Sequence, residues 1–325
     1  MTDVSRRPPG GRAIKHWSGK AEPARSLVRG DASPELTAIV VNYNAGDELR
    51  TALRSIAADA GPRAWEGYVV DNASSDGSGA IAAEFAPAVT LIPNPGNVGF
   101  GRAINQALAR ARAPVVLIMN PDCRLEAGAL AALEAELRAH DGCAMVGPRI
   151  LDPDGSVQGS ARGDPDMLTG LFGRSAVLRR VLPGLAVSRR NVVDDTVADR
   201  DRSVVVDWLS GACVLAMRQA LLDVRGFDER YFLYWEDADL CRRLRARGHH
   251  VRYVPAATAV HRVGHSSRTA RAASVRAFHE SAYLYYSTHV APGAFNPKRA
   301  LARALLAARC RWLLRGATGT SAGGA

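Results

Sequence analysis

Between residues 36 and 137 one pattern recurs four times: a short β-branched apolar run, a polar turn, then an amphipathic stretch. The run Leu36-Thr-Ala-Ile-Val-Val41 leads into Asn42-Tyr43-Asn44, and Leu49, Leu53 and Ile56 follow at helical spacing within Asp47 to Ala58. Gly67 to Val70 leads into Asp71-Asn-Ala-Ser-Ser-Asp76-Gly77, with a helix expected over Ser78 to Phe85. Val89 to Ile92 leads into Pro93 to Gly99, with a helix expected from Phe100 to about Arg112. Pro114 to Met119 then runs directly into Asn120-Pro121-Asp122. Strands this apolar are buried on both faces, and the helices between them supply the cover. The chain therefore reads as an α/β protein with a mostly parallel central sheet flanked by helices. In such sheets ligands sit outside the carboxyl ends of the strands, where all four polar clusters fall.

Beyond this core the sequence predicts a helix over Leu130 to Leu137 and a strand over Ala144 to Gly147. Residues 152–203, rich in Gly, Asp and Arg with one helical stretch near Met167 to Leu182, read as a mobile insertion, an acceptor loop. Regular structure is expected again at Val204 to Trp208, continuing through Gly211 to Met217, then as a helix from Arg218, a charged helix from Asp237 to Gly248 and a strand over Val251 to Val254. Residues 297–315 form a C-terminal helix whose Leu301, Leu305, Ala308 and Trp312 share one narrow stripe. The main domain is expected over residues 34–290, between a disordered basic leader (1–33) and a basic C-terminal helix and tail (291–325).

The charge distribution narrows the partners. The chain of 325 residues carries 42 Lys+Arg against 32 Asp+Glu, but the excess lies at its ends: residues 31–260 hold 25 basic and 29 acidic side chains. Basic residues that avoid the middle, 6% aromatics and no zinc-finger or RNA-recognition signature argue against nucleic acid. An anionic membrane surface suits terminal charge better. Five cysteines without CxxC spacing argue against a disulfide framework or zinc knuckle. With no secretory leader and no apolar run of about 18 residues, the chain is expected to be cytoplasmic, with peripheral contact on the inner face of the cell membrane and homo-oligomerisation both left open.

Asp122 follows a buried strand immediately. It reads either as a helix N-cap or as a ligand to a hard cation, which needs only one or two carboxylates when phosphates complete its shell. Asp71 reads either as an Asx-turn or as the acceptor of an imide N–H from a pyrimidine base. Tyr231-Phe-Leu-Tyr-Trp235 precedes Glu236, Asp237 and Asp239 at a helix start. The helix dipole accounts for one or two of these acids but not for the aromatic wall, beside which a carboxyl gains proton affinity and becomes a usable base. His261 ends an apolar run and is equally a loop residue or a metal ligand, whereas His249 and His250 are left as solvated residues.

Taken in order, Asn42-Tyr43-Asn44, Asp71 to Gly77, Asn97-x-Gly99-Phe-Gly-Arg102-Ala-x-Asn105, Asn120-Pro-Asp122, Trp208-x-Ser-Gly211, Gly226-Phe-Asp-Glu229, Glu236-Asp237-x-Asp239-Leu and His261 resemble the family 2 inverting glycosyltransferases, within them the rhamnosyltransferase-like branch. The likeness covers roughly residues 36–290. It implies a GT-A fold, a Mg²⁺ or Mn²⁺ ion and a nucleotide-diphospho-sugar donor, with L-rhamnose from dTDP-rhamnose as the leading choice and a UDP-sugar as the alternative. It also implies a glycan or polyprenyl-diphosphate-linked acceptor in cell-wall or surface polysaccharide synthesis. By the same likeness Asp237 is the catalytic base with Glu236 beside it, and Asp122 and His261 hold the metal. Asp71, with Tyr43, Asn44, Asn97, Gly99, Arg102 and Asn120, contacts the nucleotide sugar, and Trp208 and Gly211 line the sugar and acceptor pocket. Asn120 stands where many family members carry a second acid, as is usual in this branch. A nucleotidyltransferase would want a basic loop after the first strand, which Asn42 to Asp47 lacks; a non-catalytic binding module would lack Asp122 and Asp237.

Overall fold

The computed structural model describes residues 33–165, 202–262 and 271–318. Its first strand, β1 (Leu36–Asn42), is buried along its whole length, as the unbroken apolar run requires. Helix α1 (Glu48–Ala60) turns Leu49, Leu53 and Ile56 onto the sheet at no more than 1% exposure, worth about 2 kcal/mol for each side chain. β2 (Trp65–Asp71), β3 (Val89–Pro93), helix α2 (Phe100–Leu108) and β4 (Val115–Met119) complete the repeat.

Two local details depart from the expected helices. Ser78–Phe85 forms a 3₁₀ helix, not an α-helix. Gly79 weakens so short a segment, and Ala86, before Pro87, takes the extended backbone that a following proline favours. Helix α2 stops four residues before Arg112 because the chain beyond it is held by neighbouring strands: Arg112 N–H donates to Glu66 Oε1 at 2.7 Å and Ala113 N–H to Thr37 Oγ1 at 3.3 Å.

The second half adds β5 (Cys123–Leu125), α3 (Ala129–Ala139), β6 (Cys143–Leu151), the two-residue strands β7 (Val157–Gln158), β8 (Ala161–Arg162), β9 (Val204–Val205) and β10 (Trp208–Leu209), then β11 (Cys213–Met217), α4 (Arg218–Asp223), α5 (Glu236–Ala246) and β12 (His250–His261). The main sheet runs β3-β2-β1-β4-β11-β6-β12-β5. Pairs β1–β2, β2–β3, β1–β4 and β6–β12 are parallel, whereas β11 is antiparallel to both β4 and β6, and β5 to β12. Since β11 runs backwards, its beginning lies at the edge where the parallel strands end. The expected single run from Val204 to Met217 is broken into three pieces, and Trp208–Leu209 pairs with β8 in a small sheet of its own. The strand expected over four residues from Val251 extends to His261, with its register slipping between Val254 and Thr258, where Pro255 has no N–H to offer.

One hydrophobic cluster lies on the sheet face covered by α2, α4 and α5, and another on the face covered by α1 and α3. Helix α6 (Arg271–Tyr285) continues through one π-helical segment, Tyr286–Val290, and is followed by α7 (Pro297–Thr318). Helix α7 docks through Ala302 and Leu306, at 1% and 5% exposure, and not through the stripe of Leu301, Leu305 and Trp312, which are 54%, 37% and 71% exposed. Within the expected insertion, residues 152–165 form a turn with β7 and β8; the helical stretch near Met167 to Leu182, like the leader, falls outside the described residues. No helix among the described residues is long and apolar enough to cross a membrane.

Among the contacts that hold α7 on α6, one titrates. His279 Nδ1–H donates to the Val275 carbonyl at 2.7 Å, which leaves Nε2 to accept from Arg309 at 2.8 Å. Burial, with Arg309 adding to it, holds the His279 pKa below its usual 6.5. The unfolded chain therefore takes up this proton before the folded one, so stability is intact above about pH 6.5 and falls as the pH drops below it. In chemical denaturation at about pH 5 and about pH 7.5, the wild type is expected to lose more stability on acidification than His279→Asn. Equal losses would show that this contact is not the source.

Candidate active site

Parallel register brings the polar strand ends together: Asn42 pairs with Asp71, Asp71 with Pro93, and β4 ends beside β1 before Asn120. The reversed β11 adds the next piece. Asn120 N–H donates to the Ala212 carbonyl at 2.8 Å, and the neighbouring Gly211 N–H donates to Asp237 Oδ2 at 3.0 Å. Asp122 and Asp237, 115 positions apart in sequence, thus stand at one edge on either side of the Gly211–Ala212 backbone. A side chain at Gly211 would meet Asp237 Cβ at 3.4 Å and Phe100 at 3.5 Å, so the segment approaches the acid closely because it has none.

Asp122, Cys123 and His261 present ligand atoms within 4.8 Å of one another, the only such group among the described residues. His261 Nε2 lies 3.2 Å from Asp122 Oδ1 and 3.5 Å from Asn120 Nδ2. Gln158 decides what that nitrogen carries. Its Nε2 donates both to Asp152 Oδ1 at 2.7 Å and to the His261 carbonyl at 2.8 Å, which turns Oε1 toward His261 Nδ1 at 3.0 Å. The network therefore assigns the ring proton to Nδ1 and leaves a lone pair on Nε2 facing a carboxylate. Two acceptors at this separation suit a cation between them, and a ligating histidine whose other nitrogen donates to a fixed oxygen is the usual arrangement in metal sites. Burial pushes the Cys123 thiol up, so it borders the pair as a neutral thiol. One carboxylate and one imidazole fit a divalent ion that draws its remaining ligands from a substrate.

The aromatic loop before α5 is strained. Tyr234 and Trp235 are consecutive left-handed residues, φ +69° and +70°, and neither is glycine. Each costs about 1 kcal/mol or more. Stacking offsets this: the Trp235 ring centroid lies 5.8 Å from Phe278 and 5.3 Å from Tyr285, and Ser281 Oγ donates to the Leu233 carbonyl at 2.9 Å. Out of this loop Glu236 enters the core at 5% exposure with Oε2 unpartnered, while Asp237 Oδ1 accepts from Ala238 N–H at 2.8 Å. Burial, and then the adjoining Asp237, push the Glu236 carboxyl well above the usual carboxylate range. The two neighbouring acids consequently differ in kind. Glu236 binds its proton the more tightly for being buried, and Asp237 accepts the Gly211 and Ala238 N–H groups.

The remaining expected site residues divide by what already engages them. Asp71 accepts from Asn42 Nδ2 at 2.7 Å, from Ser74 Oγ at 2.6 Å and from Ser74 N–H at 3.1 Å, so the turn reading is realised at the strand end. Asn44, at φ +52°, accepts from Ser75 N–H at 2.7 Å and links the first two loops; Tyr43 beside it is half-buried. Asn97 accepts from Gly99 N–H at 3.0 Å. Gly99 has φ +90°, and a Cβ there would lie 2.6 Å from the Phe232 carbonyl, so only glycine lets this turn meet the aromatic loop. Arg102 lies exposed 3.5 Å from Glu229. Trp208 is 9% exposed, donates to the Gly163 carbonyl at 2.9 Å and carries Arg162 over its ring, so it braces the small sheet. Asn42 and Gln158 are the structural partners that sequence reasoning did not single out. Asn42 carried a signal, being the polar residue that closes a buried strand; Gln158, 103 positions from His261, carried none.

The glycosyl transferase family 2 model matches residues 37–195. The chain is 34% identical over 296 residues to the N-acetylglucosaminyl-diphospho-decaprenol L-rhamnosyltransferase of Mycobacterium tuberculosis (strain ATCC 25618 / H37Rv), covering 86% of this chain and 93% of that one. It is 40% identical over 81 residues to rhamnosyltransferase WbbL of Escherichia coli (strain K12), covering 25% of this chain and 31% of that one. Among solved structures it is similar to the mannosyltransferase PcManGT of Pyrobaculum calidifontis in complex with GDP-Man and Mn²⁺, with a TM-score of 0.53 at 20% identity over 91% of this chain and 77% of the other. That likeness extends to the fold.

Two outcomes follow from the geometry. Ionising Glu236 costs more in the folded than in the unfolded protein, so wild-type stability falls as the pH rises above the ordinary carboxylate range. Glu236→Gln should therefore gain on the wild type as the pH is raised from about 5 to about 8, read as the difference in melting temperature at each pH. Gln158→Leu should weaken Mn²⁺ binding about tenfold to a hundredfold by releasing the His261 ring, as measured by calorimetry in the presence of a nucleoside diphosphate. Unchanged affinity would remove Gln158 from that role.

Proposed function

Because the chain belongs to glycosyltransferase family 2, and is thus a sugar-transferring enzyme of the GT-A fold, we propose that it moves L-rhamnose from dTDP-rhamnose to a hydroxyl of a polyprenyl-diphosphate-linked N-acetylglucosamine, with inversion. The observation that carries the substrate reading is the 34% identity extending over 93% of a relative named for rhamnosyl transfer to such an acceptor. The product belongs to cell-wall polysaccharide synthesis, and an acceptor on a lipid requires an enzyme working at the membrane surface.

The chemistry asks for a base on one side of the sugar and charge neutralisation on the other. Asp237 is the base. The Gly211 and Ala238 N–H groups hold its carboxylate on the edge that also carries Asp122, where it accepts the proton of the acceptor hydroxyl as that oxygen attacks the anomeric carbon. The bond to the nucleoside diphosphate breaks on the opposite face, which gives inversion. Asp122 and His261 would hold Mg²⁺ or Mn²⁺, which would supply positive charge for the diphosphate leaving group. Asn120, in place of a second acid, adds no charge of its own and keeps the pair close through its bond to Ala212. Asp71 closes the base-binding side, its carboxylate fixed by Asn42 and Ser74 and oriented to receive an imide N–H. Gly99 and Asn97 shape the turn that meets the sugar side of the donor. Glu236 is buried beside Asp237, and that burial raises the proton affinity of its own carboxyl.

Incubation with dTDP-rhamnose, a polyprenyl-diphosphate N-acetylglucosamine and Mg²⁺ should release dTDP and yield a disaccharide lipid. Turnover with UDP-sugars alone would replace the donor. Asp237→Asn should lower transfer about a hundredfold to ten-thousandfold while nucleotide binding, followed by thermal shift, stays near wild type. A variant with wild-type turnover would remove Asp237 from the role.

A further inference from the structure

We propose that the outward face of α7 is a docking surface for an anionic phospholipid bilayer. The inference deepens the proposed function, since it supplies the membrane contact that a lipid-linked acceptor calls for. Leu301, Leu305, Ala308 and Trp312 recur at four, three and four residues, so they line one side of a helix about 33 Å long. This side is not the one that meets the protein: Ala302 and Leu306 are buried, whereas Leu301, Leu305 and Trp312 are 54%, 37% and 71% exposed, and Phe295, just before the helix, is 100% exposed. An unpaired apolar ridge of about 17 Å is uncommon on a soluble surface unless something covers it.

Charge selects the occupant. Residues 281–325 contain six Lys/Arg side chains and no Asp or Glu. Arg303 stands over the Tyr283 ring and Arg309 meets His279, so these two hold the helix to α6. Lys298 and Arg311 flank the ridge and are exposed. A second copy laid along the same ridge would oppose like charges with no acid from this region to offset them. An anionic headgroup layer supplies the missing charge, admits the leucines and phenylalanine, and suits a tryptophan at the boundary between water and hydrocarbon.

The position of the hairpin gives this contact a use. Helix α6, on which α7 rests, stacks Phe278 and Tyr285 against Trp235 and bonds Leu233 through Ser281, in the loop that delivers Asp237. A bilayer on the far side of α7 is therefore linked through α7 and α6 to the loop that delivers the base, toward which an acceptor anchored in lipid has to reach.

The test is flotation of the full chain with vesicles of phosphatidylcholine alone and of phosphatidylcholine mixed with phosphatidylglycerol, neither containing a glycan acceptor. Wild type should partition at least about tenfold better onto the mixed vesicles and lose that preference at about 0.5 M salt. Leu305→Ser with Trp312→Ser should lower partitioning about tenfold or more without changing the melting temperature, and Lys298→Gln with Arg311→Gln should remove the preference for the anionic lipid. Wild type that floats with neither vesicle, or a Leu305/Trp312 variant that floats like wild type, overturns the proposal. So does a concentration-dependent dimer in sedimentation velocity that Trp312→Ser dissociates. A wild-type enzyme that floats with neither vesicle yet still transfers rhamnose to a detergent-dispersed acceptor refutes the docking surface alone, whereas one that floats and transfers no rhamnose refutes the substrate reading alone.

Discussion

The site depends on one reversed strand. Four parallel strands deliver polar groups to a common edge, but each delivers only the residues beyond its own carboxyl end. β11, antiparallel between β4 and β6, contributes its beginning instead, and with it two adjacent backbone groups that face in different directions. The Ala212 carbonyl takes the N–H of Asn120 and the Gly211 N–H takes the carboxylate of Asp237. These two hydrogen bonds tie the segment that carries Asp122 and the carboxylate of Asp237, remote in sequence, to adjacent residues of one backbone stretch. Side-chain substitution cannot easily reproduce this, because the coupling runs through backbone.

The charge at this edge is correspondingly sparse. A single aspartate faces an imidazole whose lone pair is directed by Gln158, and a second acid, Glu236, lies in the core, where burial pushes its carboxyl well above the usual carboxylate range. Two ionised carboxylates beside Asp122 would repel a departing diphosphate as well as hold a cation. With Asn120 in the first position of Asn120-Pro-Asp122, a cation held by Asp122 and His261 would have to draw more of its ligands from phosphates, so that cation and nucleotide would depend on one another for binding.

Residues that end buried strands were legible from sequence. Asp71 and Asp122 each follow an unbroken apolar run, so the period of the run gives both the strand and the edge on which it stops. The acids of α5 were legible for another reason, since the dipole of a helix does not account for five apolar residues immediately before them. Pairings between distant segments were not. Nothing in the local pattern ties Gln158 to His261 or reverses β11, and Gln158 sits in a stretch whose composition reads as loop. Trp208 carries a pairing of the same kind, its N–H donating to the Gly163 carbonyl across 45 positions. The C-terminal stripe was found at the right residues, but periodicity cannot say which of two apolar faces turns inward. Small Ala302 permits a close helix contact that the larger Leu301 does not.

The left-handed pair Tyr234 and Trp235 has a consequence for how the molecule can be divided. A loop held in an unfavourable backbone state keeps its shape only while its rings remain wedged against Phe278 and Tyr285. The terminal hairpin is therefore no detachable appendage. A fragment ending before α6 would keep every residue assigned to bond making and breaking, yet its proton acceptor would hang from an unbraced tether.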